Sequence, residues 1–527
     1  MKKILAMILV LAMVLAACPV CFADAAQDWY DYVAGKEDPQ LVDMDETLEL
    51  TYLGWNYNGV LPKNDSIMAQ IIEKRFNVKI DNVQVDNYNK EQWNLALSTG
   101  VPFDVYGTGA NFAKLADEGL IRPVPVEMIE TYAPTITAAL VAALGENWYE
   151  YSSYDGECWG IPTYSASWET PQIMGLRADW LRNIGYDASN LPTTMEGLEE
   201  MLLKLHTDDP DQNGKDDTYA LGMSNSFGFY EYAAYGIAKG YWYYNADGEL
   251  MTAAADPNLK DALKLIRRWV ELGIYDPEII TDKRADGVAK YVNGVIVGYE
   301  SLDNCFLVYG GASLSGPGAI YADTGEEVPC LIIPPMEGLS TVMYAVPANS
   351  NGIAYGADTS DEKVIRALQI VDTYYSDLEL WLTDNRGAKG VHWDYDENGN
   401  VIYGTVNGFE DWGLLQSSGA AGEQRYYNFQ FIPQSVLAYR LGGVGQENSR
   451  YEIWNAVKDF PKIPAAAASS FTTEAETEYS VSANKVYDEY LLKAISGEVD
   501  IDATFDAYLQ EWLASGGQQI LDAKRAL

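Results

Sequence analysis

Histidine is almost missing from this chain: His206 and His392 are the only two among 527 residues. Catalysis built on several imidazoles, and most transition-metal sites, therefore lack their material. Cysteine is scarce as well, with five residues, and the only close pair is Cys18-Pro19-Val20-Cys21 at the start of the chain. No zinc-type spacing exists, and spacing selects no disulfide among Cys158, Cys305 and Cys330. Positive charge is the third shortage. Lys and Arg number 35 against 77 acids, for a formal charge of -42, and the resulting field repels nucleic acid and anionic membrane surfaces. Long apolar runs stop early: after residue 17 nothing approaches the roughly 20 uncharged residues that span a bilayer. Nucleic-acid binding and an integral membrane fold are excluded on these grounds.

What is present points to a folded, ligand-handling body. Apolar residues make up 48% and charged residues 21%, an ordinary globular balance. A chain of this length is expected to divide into two or more packed units. The 38 Tyr and 14 Trp combine flat apolar faces with polar tips, which suits half-wet binding surfaces.

The opening "MKKILAMILVLAMVLAACPVCFADAAQD" has Lys2 and Lys3, an apolar run from Ile4 to Ala17, and small residues before the first acid. That is the layout of an export signal over residues 1–17, so the working location is extracellular. "LAAC", Leu15 to Cys18, resembles the bacterial lipoprotein box and makes Cys18 the lipidation site; the alternative is release by cleavage near Ala23-Asp24-Ala25. Loss of Lys2 and Lys3 takes the charge from -42 to -44, because no acid precedes Asp24. Residues 18–45 are acidic without a sustained period and are expected to form a tether.

From Glu46 onward strands and helices alternate. "TLELTYLGW", a helix over Asn64 to Phe76 capped by Asp65 or Ser66, and "NVKIDNVQV" read as a β-α-β unit. "PFDVYGTG" follows as a short buried strand. A break at Pro162 precedes a strand (Gln172 to Leu176) and a helix (Ala178 to Ile184), and "YVNGVIVGYES" reads as a strand pair. "YYNADGELM" and "WDYDENGNVIYG" are hairpin signals around Asp247-Gly248 and Asn398-Gly399. The expected fold is α/β with two lobes, each a mainly parallel sheet flanked by helices, and a helical region from about residue 405 to the end. Lobe 1 is expected over 46–165 plus about 343–400, and lobe 2 over 166–342 plus about 401–527.

"DDPDQNGKDDTYALG", residues 208–222, matches the twelve-position calcium loop. Asp209, Asp211 and Asn213 fall at positions 1, 3 and 5, Gly214 at 6, the Lys215 carbonyl at 7 and Asp217 at 9. Position 12 is Ala220, so the usual bidentate glutamate is absent and water or another segment would complete the shell. The competing reading is a solvated acidic turn. A bound calcium is expected as structural support, and no other cofactor is required.

The string "GIPTYSASWETPQIMGLRADWLRNIGYDASNLPTTMEGLEEMLLKLHTDDPDQNGKDDTYALG" resembles the extracellular solute-binding proteins of bacterial ABC importers, in the maltose-binding-like, Gram-positive lipoprotein group. "GVPFDVYGTG", "LADEGLIRPV" and "YLQEWLASGGQQIL" extend the resemblance over most of the chain from residue 46. It implies a two-lobed, periplasmic-binding-protein-like fold of type II, a monomer that closes around a solute and passes it to an ABC permease. The cargo implied is a carbohydrate or oligosaccharide, with short peptides as a further class.

Ligands of open α/β sheets sit beyond the carboxyl ends of strands. That rule selects Trp55, Asn56 and Tyr57 after the first strand, Tyr106 and Thr108 after "DV", Tyr164 and Trp168 at the break, and Tyr299 and Glu300 after "VIVG". Rings pack on sugar faces while Asn and carboxylates meet hydroxyls; for each ring the competing reading is ordinary core. Phe227, Tyr230 and Arg425 are secondary candidates. Alternative functions are an extracellular carbohydrate-active enzyme, which would need two placed carboxylates that nothing in the sequence singles out, and a surface lectin. No enzyme activity is expected.

Overall fold

In the computed structural model the residues described are 25–526, except 39, 57–63, 87–89, 100, 108–111, 167–170, 223–227, 301–315, 325, 327, 343–347, 404–430 and 434–449. The chain divides into two units, Met1–Ser165 with Ala348–Tyr439, and Ala166–Pro347 with Arg440–Leu527.

The first unit begins with the β-α-β element read from the sequence. β1 (Leu48–Asn56) and β2 (Val78–Asp86) pair in parallel, Leu48 opposite Val78 and Asn56 opposite Asp86. The intervening helix α2 (Ile67–Phe76) is capped by Ser66, whose side chain accepts from the Ala69 N–H, and it ends on Asn77 in the left-handed region. Its buried face carries Met68, Ile71, Ile72 and Phe76. The sheet adds β3 (Val105–Tyr106), β4 (Ile121–Arg122), β5 (Gly160–Ser165), β10 (Ala348–Gly356) and β11 (Phe431–Ile432), in the order β11-β5-β10-β3-β1-β2 with β4 on β10. The β5–β10 pairing brings backbones very close: a Cβ on Gly160 would lie 1.9 Å from the Ile353 carbonyl oxygen, and one on Gly352 1.9 Å from that of Ile161. Only glycine fits at either position.

β11 also corrects the expected boundary. Phe431 pairs with Tyr164 and Ile432 with Ser165 in parallel, so the chain remains with the first unit well beyond residue 400.

The expected tether is likewise corrected. Residues 25–34 are a helix, here α1, with Tyr30, Val33 and Ala34 buried. It and the irregular segment after it dock on α7 (Asp361–Ser376) and α8 (Leu378–Arg386). Trp29 Nε1 donates to Thr383 Oγ1 at 2.9 Å. Lys36 Nζ meets Asp377 Oδ1 at 2.8 Å and Glu379 Oε2 at 3.2 Å. Gln369, with its amide oriented to suit, exchanges bonds with the Val42 backbone at 3.0 and 3.3 Å. Buried Arg366 donates to the carbonyls of Phe76 at 2.6 Å, Asn77 at 3.0 Å and Asp43. Contacts thus run backward along α7 as residues 36 to 46 run forward. The acidic composition suggested solvation, but Trp29, Tyr30 and Val33 supply an apolar stripe at helical spacing.

The second unit has a sheet of order β9-β6-β8-β7, from β6 (Met174–Arg177), β7 (Tyr219–Leu221), β8 (Ile296–Glu300) and β9 (Cys330–Ile333). Both sheets are mixed and not mainly parallel: β10 runs against β3, β4 and β5, and β6 runs against β8 and β9. "YVNGVIVGYES" supplies one strand, since its first part ends helix α6 (Arg284–Val292) and Gly294 turns the chain into β8. Helices α3 (Met195–Thr207), α4 (Phe229–Ala234) and α5 (Leu259–Glu271) surround a core containing Leu202, Leu205, Tyr232, Ile266 and Trp269. The C-terminal helices α9 (Glu474–Ser496), α10 (Ile501–Trp512) and α11 (Gln518–Arg525) cover the same core through Ile495, Phe505, Tyr508 and Trp512. Both hairpin signals form, Trp242–Tyr244 with Leu250–Thr252 and Trp393–Tyr395 with Val401–Tyr403, each turning on a glycine of positive φ, Gly248 and Gly399.

Candidate functional site

In the first unit, β1, β2 and β3 point one way; β10 opposes β3, β5 opposes β10, and β11 follows β5. Asn56, Asp86, Tyr106, Ser165 and Ile432 therefore end their strands at one edge of the sheet. Trp55 and Asn56 reach that edge by backbone; their side chains lie outside the description, as do Tyr57, Thr108, Trp168, Phe227 and Arg425. Tyr106 and Tyr164 are interior, 1% and 4% exposed. Tyr106 packs with Leu53 and Phe103, the latter edge-on at 5.8 Å. These two rings support the edge from within.

In the second unit Tyr299 and Glu300 are consecutive on β8 and so face opposite sides of the sheet. Tyr299 stacks on Tyr291 with centroids 5.3 Å apart, and Gly316 is close enough that a Cβ there would strike the Tyr299 hydroxyl. It is a core ring. Glu300, also buried, turns toward α4. Its Oε2 accepts from the Tyr230 N–H at 3.1 Å and its Oε1 from the Tyr275 hydroxyl at 2.7 Å. The same hydroxyl lies 2.5 Å from Glu231 Oε1, and Glu231 is fully buried. Burial pushes the Glu231 carboxyl well above the usual carboxylate range, and the neighbouring Glu300 charge adds to it. Burial also raises Glu300, against the stabilising donations of Tyr275 and the Tyr230 N–H. Lys239, with its ammonium 5.1 Å from the Phe229 ring centre, is pushed down to about 8 by burial despite both carboxylates.

Sequence reading named Glu300 and Tyr230 as ligand contacts and did not name Glu231 or Tyr275, with which they are buried, or Lys239. The available signal was an acid inside the aromatic run "GFYEYAAYG", where neither side of a short helix offers it water.

The acidic loop after α3 is a tight turn. Asp209 and Gln212 have positive φ, as does Gly214 at +80°. Asp209 accepts from the N–H groups of Asn213 and Gly214, each at 3.0 Å, and Lys215 N–H donates to Asn213 Oδ1 at 2.8 Å. Asn213 Nδ2 donates to Asp211 Oδ2 at 2.7 Å and Asp217 Oδ1 at 3.0 Å. Among the described residues no group of three His, Cys, Asp or Glu side chains is placed to hold a metal ion. The donor types nevertheless fit a hard cation, because an amide N–H₂ now bridges two carboxylates where a positive partner is favoured.

His206 bonds the Thr218 carbonyl through Nδ1 at 2.6 Å and stacks on Tyr219, which ties α3 to β7. Cys158 is a buried free thiol and Cys330 a partly buried one, while Cys305 lies outside the described residues. No described helix is long and apolar enough to cross a membrane.

No family model matches the chain. Lipoprotein LipO of Bacillus subtilis (strain 168) is 23% identical over 390 residues, covering 70% of this chain and 71% of that protein. The fructooligosaccharide ABC transporter substrate-binding protein FusA of Streptococcus pneumoniae is 23% identical over 353 residues, covering 62% of this chain but only 60% of that protein's length. The solved structure of the pneumococcal FusA in complex with kestose covers 91% of this chain and 98% of its own, with TM-score 0.62 and 17% identity. A structure of the same protein as an EF-hand mutant with fructo-nystose aligns with TM-score 0.61 at 18% identity, covering 91% of this chain and 98% of its own. A solute-binding protein from Bifidobacterium longum infantis, described as binding HMO, covers 92% of this chain and 98% of its own, with TM-score 0.66 and 15% identity. These likenesses fix the fold as the two-unit α/β fold of solute-binding proteins.

Proposed function

We propose that this chain is a solute-binding protein of the ABC-importer kind, which captures an oligosaccharide outside the cell and delivers it to an ABC permease. The observation that carries this reading is the kinship with the fructooligosaccharide-binding FusA, in a chain whose strand ends gather Trp55 and Asn56 at one sheet edge. Trp55, Tyr57 and Trp168 would stack on sugar rings, and Asn56 and Thr108 would meet hydroxyls. Tyr106 and Tyr164 would hold the first unit's edge from behind, and Tyr299 and Glu300 would brace the second unit's edge. The sugar leaves chemically unchanged, since capture needs no bond to break.

Asp209, Asp211, Asn213, the Lys215 carbonyl and Asp217 would hold a structural calcium, which neutralises their charge and stiffens the turn after α3. Cys18 would carry the lipid that keeps the protein, as a monomer, at the outer membrane face.

Titration calorimetry of the mature protein with kestose, fructo-nystose and HMO tests the reading. Saturable binding with intact sugar recovered afterwards is the expected result. Hydrolysed products would favour the glycosidase alternative, and peptide binding without sugar binding would reassign the cargo.

A further inference from the structure

The Tyr275 hydroxyl sits between two carboxyl groups, 2.5 Å from Glu231 Oε1 and 2.7 Å from Glu300 Oε1. A phenol has one proton and donates to one acceptor. If both acids were charged, one carboxylate oxygen would face the phenol's lone pairs at hydrogen-bond distance with no proton between them. One of the two must bring its own. Glu300 has the better claim to be the anion, because its Oε2 also accepts an amide N–H, that of Tyr230. Glu231 is held less well as an anion: it is 0% exposed, its Oε2 has no hydrogen-bond partner among the described residues, and beyond Tyr275 it is helped only by its own backbone N–H and the more distant Lys239. Among the described residues, the titratable and charged groups facing the pair are Tyr275, from the segment after α5, Lys239, from the segment after α4, and Tyr232 on α4 itself.

We propose that Glu231 is a neutral carboxylic acid that donates to the Tyr275 oxygen, whose own proton goes to a charged Glu300, so that one stored proton latches the end of β8 to α4 and to Tyr275. No bond to carbon changes: when the latch opens, Glu231 loses its proton to solvent and two anions are left competing for one phenol. Burial favours the neutral acid, and Lys239, the cation that would compensate a second anion, is itself pushed down to about 8. The latch is a positioning device, since Glu231 acts through Tyr275 on Glu300 and on the sheet edge that ends there. Its link to solute capture rests on the proposed function; the stored proton does not.

Infrared difference spectra of the full mature chain, without sugar, test the proton directly. At neutral pH a protonated-carboxyl C=O band that shifts in D₂O is expected, lost in Glu231→Gln and kept in Glu300→Gln. Tyr275→Phe, which removes the oxygen that Glu231 bonds, should shift the same band, so a poorly folding Glu231→Gln does not leave the question open. Absence of the band in the wild type, or its persistence in folded Glu231→Gln, overturns the proposal. Kestose affinity against pH then tests the coupling: in the wild type it should weaken roughly tenfold per pH unit once the proton is lost, while Glu231→Gln, whose amide donates without titrating, stays flat. Equal alkaline loss in both removes the coupling. Should kestose not bind at all, the spectra still decide the latch, and only the function fails.

Discussion

Trp29 Nε1 donates to Thr383 Oγ1 across 2.9 Å, joining residues 354 positions apart in the chain. The ring also stands edge-on to Trp393 at 5.6 Å. Residues 25–46 are thus part of the first unit and not a leash. Trp29→Ala should cost about 2 kcal/mol, less than a core tryptophan because the ring is only partly buried. Urea unfolding measures that cost. Amide exchange should quicken selectively over residues 25–46; unchanged exchange there would return the segment to the role of a tether.

Calcium should stabilise the loop after α3. With a dissociation constant of about 10⁻⁴ M, 1 mM calcium adds about 1.4 kcal/mol. Thermal unfolding in calcium and in chelator should differ accordingly, and Asp209→Ala should remove the difference. A melting curve indifferent to calcium would leave a hydrogen-bonded acidic turn.

His392 gives the protein an acid limit. Its Nδ1 accepts the Ala388 N–H at 2.9 Å, and burial lowers its pKa to about 4 from 6.5. Protonation would put a second N–H against that donor. A lowered folded value means the contribution is fully present above the unfolded pKa of 6.5 and is lost as pH falls through about 4, about 3 kcal/mol in all. The His392 imidazole signals should titrate near 4 in the folded protein; a midpoint near 6.5 would cancel the effect.

Sugar affinity should depend on the strand-end tryptophan. Trp55→Ala is expected to weaken oligosaccharide binding roughly tenfold to a hundredfold, as loss of a stacking ring does, with little change in melting temperature. Calorimetry beside a thermal scan separates the two quantities. Unchanged affinity would move the stacking role to other rings.

Local rules were readable wherever short-range chemistry decided the structure. Ser66 capped α2, Asn398-Gly399 made its hairpin, and the alternation around "TLELTYLGW" placed β1, because each depends on neighbours a few residues away. Strand direction was not so readable. β10 and β6 turn antiparallel because of where the chain re-enters each unit, and no local pattern encodes re-entry. The candidate rings divided for a similar reason: Tyr106, Tyr164 and Tyr299 are strand residues with a partner face on both sides, and period 2 does not say which face is wet. The Glu231–Tyr275–Glu300 set joins three distant segments, so only the odd acid in "FYEYAA" hinted at it. The docking of α1 was hidden because acidity dominated the reading while the stripe Trp29, Tyr30, Val33 was short.

The ion pair of Lys36 with Asp377 bridges 341 positions, and the whole early part of the second unit, Ala166–Pro347, is threaded between its two halves. As the polypeptide emerges, residue 36 must wait for α7 and α8 to be delivered before it has anything to bind. Closing so large a loop makes native pairing of the first unit slow and late. Its sheet, exposed meanwhile at β1 and β2, is where misassembly or chaperone engagement should concentrate during biogenesis.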